Sequence, residues 1–302
     1  MCLRIKALIW ASIIRSQDFI KSFQSQLRIL FFVRDYYQTR FENWFFLSSQ
    51  EGTSSIVSRT TCHVSGSRSR CRQPQEVNGL ICCGYGRNPV IYNPTTEKSL
   101  TLPRIYVDSI IPYREHKVFT LGAQGSWRMV ECYTIHCPGT ISICINGAVY
   151  YGAYTGESMK HLILVRFYVR TEEFGFTEMP ESVHSLSYYT STLMNYHGKI
   201  ALAYSKGYDT YELWVLEDAK EHEWSKISFS TRSWIQPNVK FNVEGITPMG
   251  EIILTPRYGI DFYVVYYNLV TKQFRKIGIE GFKSPGGVII SWEYVQNSTM
   301  LL

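Results

Sequence analysis

Three stretches of this chain share a spacing that few folds tolerate. GAVYYGAYTG begins at Gly147, GKIALAYSKG at Gly198 and GEIILTPRYG at Gly250, each with a second glycine nine residues on, at Gly156, Gly207 and Gly259. The leading glycines lie 51 and 52 residues apart. A looser copy, NGLICCGYG, runs from Asn78 to Gly86. A chain that repeats at this interval is an array of one small unit, each copy burying its apolar faces against its neighbours.

The rest of the unit repeats as well. Each glycine loop is followed by an apolar strand: VIYN (90–93), ILVRFYV (163–169), YELWVL (211–216) and FYVVYYN (262–268). A polar turn follows, and then a strand that begins at or beside an aromatic residue in three units: Phe174, Trp224 and Phe274. Runs of β-branched and aromatic residues cut by Gly, Asn and Pro are the signature of strands and hairpins. Asn78-Gly79 and Asn146-Gly147 supply the positive φ that tight hairpin turns require. The reading is an all-β, propeller-like array of four-stranded repeats, with kelch-like blades as the nearest pattern. The aromatic stripe is expected to fill inter-blade space. One unit is short. HKVFTLGAQGSWRMVE (116–131) matches the second half of a blade, with Trp127 at the aromatic position, but only about a dozen residues precede it after Pro103. An incomplete blade is therefore expected near 104–131.

Charge is unevenly placed. Residues 1–76 hold eleven Lys and Arg against five Asp and Glu, whereas the remaining 226 hold twenty of each. A neutral body argues against a nucleic-acid-binding repeat protein, since phosphate binding needs a basic surface. The apolar run ALIWASII (7–14) is too short to span a bilayer and has no cleavage site after it, so no membrane role is expected. The eight cysteines follow no paired pattern and suit a reducing, intracellular setting, nucleus or cytoplasm. Cys132, His136, Cys137 and Cys144 cluster in sequence, but their spacing matches no zinc motif, so no metal or cofactor is expected. His116, His136 and His197 read as turn or hydrogen-bonding residues. GxSxG, HExxH and P-loop patterns are absent from the sequence, and Asp209 and Asp261 suit loop turns better than a glycosidase pair. No enzyme is expected.

NGLICCGYGRNPVIYNPTTEKSLTLP (78–103), followed in order by EHKVFTLG, SWRMVE, INGAVYYGA and NYHGKIALAYS, resembles the plant F-box proteins that carry a type 3 F-box-associated domain. LIWASIIRSQDFIKSF (8–23) resembles the last helix of an F-box, with Trp10, Ser12, Ile13, Ile14, Ser16 and Phe19 in the pattern. The LP-x-[DE]-L type opening of an F-box is not found before it. The resemblance divides the chain into a partial, helical F-box (1–26), a basic strand and linker region (27–76) and the F-box-associated repeat domain (77–295). It implies a substrate-recognition subunit of an SCF-type ubiquitin ligase, in which the F-box grips a Skp-type adaptor and the propeller-like domain presents a protein target. Trp10, Ile13, Ile14 and Phe19 would be the adaptor-binding remnant. With half the F-box pattern missing, adaptor binding is expected to be weak, and a degenerate interaction module that no longer recruits the ligase is the alternative. Any target is expected on the second-glycine loops 84–88, 155–158, 205–209 and 256–260, anchored by Arg87, Lys206, Tyr208, Arg257 and Tyr258, types that anchor protein interfaces.

Overall fold

The structure is a computed structural model. It describes residues 28–34, 41–50, 56–65, 75–77, 79–85, 88–105, 116–121, 125–140, 142–183, 191–207, 209–232, 239–247, 249–257, 261–283 and 288–294. The partial F-box at 1–26 lies outside them.

The described chain is built from strands. β1 (Arg28–Arg34), β2 (Phe41–Gln50) and β3 (Ile56–Ser65) open it. A second sheet follows in sequence order: β4 (Gln75–Val77), β5 (Leu80–Tyr85), β6 (Asn88–Asn93) and β7 (Lys98–Thr101). β8 (His116–Val118) and β9 (Arg128–Val130) pair only with each other among the described residues. The next sheet contains β10 (His136–Pro138), β11 (Ile143–Ile145), β12 (Ala148–Thr155), β13 (His161–Tyr168) and β14 (Glu173–Glu178). Both β10 and β11 pair with β12. Then come β15 (Ser191–Tyr196), β16 (Lys199–Ser205), β17 (Thr210–Asp218) and β18 (Glu223–Ser230), and β19 (Phe241–Ile246), β20 (Glu251–Pro256), β21 (Asp261–Asn268) and β22 (Phe274–Lys283). The last strand, β23 (Val288–Tyr294), returns to pair antiparallel with β1, giving the order β23-β1-β2-β3. The fold is an all-β propeller. Its one helical segment among the described residues is a single 3-10 turn at Glu181–Val183.

The ring closure corrects the domain limits read from sequence. Residues 28–65, taken as strand and linker, hold three strands of a sheet that the C-terminal strand completes. The link was hidden because sheet partners lie at opposite ends of the chain and neither carries the nine-residue glycine spacing. Part of the basic excess therefore sits in this sheet and its connections. Residues 28–76 hold seven Lys and Arg against four Asp and Glu.

Each core cluster lies between consecutive blades. Val118 and Val130 pack with Val149, Tyr151, Val165 and Phe167; Leu162 and Leu164 pack with Leu193, Ile200 and Leu202; Tyr211, Leu213 and Phe229 pack with Phe241, Ile252 and Val265. Because every such sheet is covered on both faces, its middle strands read as apolar runs rather than as alternation. The aromatic stripe joins these clusters. Trp127 and Trp224 each donate Nε1–H to a carbonyl at the end of the preceding blade, Pro103 and Glu178, at 2.8 and 2.9 Å. Phe174 packs in the same way, while Phe274 remains 41% exposed.

Turn chemistry repeats with the strands. Asn146-Gly147, between β11 and β12, and His197-Gly198, between β15 and β16, both hold two successive positive φ angles, the signature of a type I′ turn. At the joint before the last strand, Glu97, Glu172, His222 and Lys272 each take a φ of 55–62°. Asn93, Asp218 and Asn268 cap three of these turns, their side-chain oxygens accepting from backbone amides two and three residues on.

Candidate functional site

The second-glycine loops occupy equivalent places. Residues 84–88, 155–158, 205–209 and 256–260 lie at the joint from β5 to β6, β12 to β13, β16 to β17 and β20 to β21, the second and third strands of their units. Antiparallel order places these joints at one end of the inner strands. At the opposite end, Arg28 of β1 pairs with Tyr294 of β23, so β1 begins on the side away from the loops.

Arg87, Tyr208 and Tyr258 lie outside the described residues. Lys206 and Arg257 are described, and each is engaged within its own sheet. Lys206 Nζ donates to Glu212 Oε1 at 2.8 Å, and Lys226 Nζ approaches the same oxygen at 3.7 Å. Tyr204 donates to Glu212 Oε2 at 2.5 Å, and Trp214 Nε1 reaches it at 3.3 Å with Lys226 over its ring. The Glu212 side chain is 4% exposed and that of Lys206 61%. Burial alone would raise the Glu212 pKa. Hydrogen bonds from Lys206 and Tyr204, with the charges of Lys206 and Lys226, outweigh it and hold the carboxyl at about 2. Arg257 Nε donates to Asn242 at 3.0 Å, and its backbone N–H donates to Lys240. Beside it Glu244, which accepts from Thr255 Oγ1 at 2.5 Å, is pushed up to about 7 by burial.

The loop end of β16–β18 is thus a fixed, positively capped surface. Two exposed ammonium groups share one buried carboxylate. Sequence reading found Lys206 but missed Tyr204, Glu212, Trp214 and Lys226. The signal was present, since Glu212 is an acid inside the apolar run TYELWVL, where an unpaired carboxylate would not persist. Asp209 pairs with Arg232 at 3.2 Å rather than facing a second carboxylate among the described residues.

A second constellation lies between β9 and β10. His116, Cys132 and His136 bring ligand atoms within 4.8 Å of one another. His116 comes from β8 and formed no part of the sequence cluster; Cys137 and Cys144 are not in the group. The imidazoles of His116 and His136 stack at 4.9 Å, and both residues are buried. Burial pushes the Cys144 thiol up to about 11.

Comparison with known proteins settles the lineage. The model for the F-box associated beta propeller domain matches residues 28–111 and 105–288. The chain belongs to this family. The two matched stretches overlap at 105–111, ahead of β8. Among relatives of the F-box-associated propeller, F-box protein At4g11590 of Arabidopsis thaliana is 36% identical over 319 residues, covering 90% of this chain and 79% of that protein. F-box protein At1g47810 of the same plant is 34% identical over 315 residues, covering 83% of this chain and 89% of that protein. Among solved structures, apo AztD from Citrobacter koseri aligns with a TM-score of 0.42 and 11% identity over 88% of this chain and 98% of that one.

Proposed function

We propose that this chain is a substrate-recognition subunit of an SCF-type ubiquitin ligase, acting in the nucleus or cytoplasm. The observation that carries the reading is the polarity of the ring. β1 starts, and β23 ends, at the end of the inner strands opposite the second-glycine loops. An F-box attached ahead of Arg28 would hold a Skp-type adaptor on one side and leave the loop side open to a protein target. The family and the F-box relatives support the same assignment. The chain supplies no catalytic group in this scheme. It raises the local concentration of the target beside the ubiquitin carrier, and that proximity is its contribution to rate.

Adaptor binding would fall to the segment bearing Trp10, Ile13, Ile14 and Phe19, which carries the F-box pattern in this sequence. Co-purification with a Skp-type adaptor tests the proposal, using this chain beside a version carrying a complete F-box from a relative. The completed version is expected to assemble with the adaptor. Failure of the completed version to assemble would remove the receptor reading. Equal failure to capture any target on the loop side would leave the degenerate-module reading in its place.

A further inference from the structure

We propose that His116, Cys132 and His136 form a zinc site that clasps the two-stranded unit β8–β9 to the neighbouring blade. The donor set is the kind zinc selects: two imidazoles and a thiolate, from residues that sequence places in separate elements. Cys132 Sγ lies 3.8 Å from His136 Nδ1, close to the separation of two ligands on one tetrahedral ion. The Thr134 carbonyl stands 2.9 Å from that nitrogen and 3.4 Å from the sulfur, so an oxygen is at hand for the fourth position. His136 Nε2 lies 2.7 Å from the Tyr151 hydroxyl. With Nδ1 bound to metal, Nε2–H donates to Tyr151, the outer contact that fixes ring orientation in zinc-binding histidines.

The location gives the ion a purpose. His116 begins β8, Cys132 follows β9, and His136 opens β10, so one ion spans the short unit and the sheet after it. The same junction carries the Arg128–Glu172 ion pair and the packing of Val118 and Val130 on Val149. A unit with two strands among the described residues has fewer ladder bonds than its neighbours, and a metal cross-link offsets that deficit. Binding takes the Cys132 thiol as thiolate and releases its proton to solvent, so affinity rises with pH.

The test uses the full chain, stripped with a chelator and titrated with cobalt(II) as a spectroscopic stand-in for zinc. The expected result is one ion per chain with a thiolate-to-cobalt charge-transfer band, competed away by zinc, and a binding enthalpy that varies with the buffer's ionisation enthalpy. Cys132→Ser, at a partly exposed position, loses the band and weakens binding at least tenfold while the far-ultraviolet spectrum is unchanged; Cys137→Ser retains both. His116→Gln weakens binding, and if that variant does not fold, the two cysteine variants decide. No thiolate band in the parent chain overturns the proposal. So does a band that survives Cys132→Ser.

Discussion

Glu212 and Glu244 sit one blade apart and titrate in opposite directions, and the difference lies in what surrounds each carboxyl. Glu212 is surrounded by Lys206, Lys226 and Tyr204, which lower its pKa from 4.5 to about 2 despite burial. Its folded value is below its unfolded one, so it contributes stability that is present above pH 4.5 and lost as pH falls through 2. Glu212→Gln is expected to cost about 2 kcal/mol at neutral pH. Denaturant unfolding should show parent and variant converging near pH 2; a constant gap would contradict the assignment. Glu244 has the reverse sign. Burial is the largest influence and outweighs the hydrogen bonds from Thr255 and Asn242 and the charge of Arg257, taking its pKa to about 7. The folded state holds this proton more tightly than the unfolded chain, so stability falls as pH rises from 4.5 to 7. Glu244→Gln keeps the shape and removes the charge. It should flatten that limb and raise stability at pH 8 by about 1–3 kcal/mol. An unchanged slope between pH 5 and 8 would show that another group carries it.

At the scale of elements, the glycines that revealed the repeat are not equivalent. Gly198 and Gly250 both take positive φ, 83° and 82°, at the joint between first and second strands. A Cβ on Gly198 would meet open space, whereas one on Gly250 would stand 3.2 Å from the His197 ring of the preceding blade. Gly198→Ala should therefore cost the backbone term alone, about 1 kcal/mol, and Gly250→Ala measurably more. Equal losses in thermal unfolding would mean His197 moves aside freely. The two-stranded unit makes its own prediction. In metal-free protein, amide exchange in β8 and β9 should be at least tenfold faster than in β16 and β17, which are bonded on both sides. Uniform protection across both would imply further pairing at 106–115. The four repeat units were legible in sequence because turn geometry forces glycine or asparagine at fixed intervals and double-sided burial forces apolar runs. Glu212 stood out as an acid in an apolar run, but its grouping with Tyr204, Trp214 and Lys226 did not, because these residues meet across strands: Tyr204 lies opposite Glu212 in register, and Trp214 opposite Lys226. His116 escaped for the same reason, its partners being reached through the β8–β9 pairing and not through spacing.

At the scale of the whole molecule, closure depends on a pairing between the two ends of the described chain. β23 contributes the first strand of a sheet whose other three strands are β1, β2 and β3, and it neighbours β19 of the blade before it. Such a pairing carries a large loop-closure entropy in the folding chain, but once formed it covers the edge of β1. Deleting 288–302 would expose the β1 edge, RILFFVR, a β-rich apolar run of the kind that recruits other strands. The expected outcome is a chain that elutes from size exclusion as oligomers and unfolds over a broad range, while the blade at 191–230 keeps its amide protection. A synthetic peptide spanning Val288–Tyr294 with soluble flanks should restore the monomer by adding itself as the missing strand. The peptide is the informative half of the experiment. If truncation disrupts the ring and the peptide restores it, the N-terminal strands belong to the propeller, and the boundary between arm and domain lies at Arg28. A truncated chain that stays monomeric and unfolds cooperatively would mean that the C-terminal strand is an accessory and the ring closes through β4 and β19 alone.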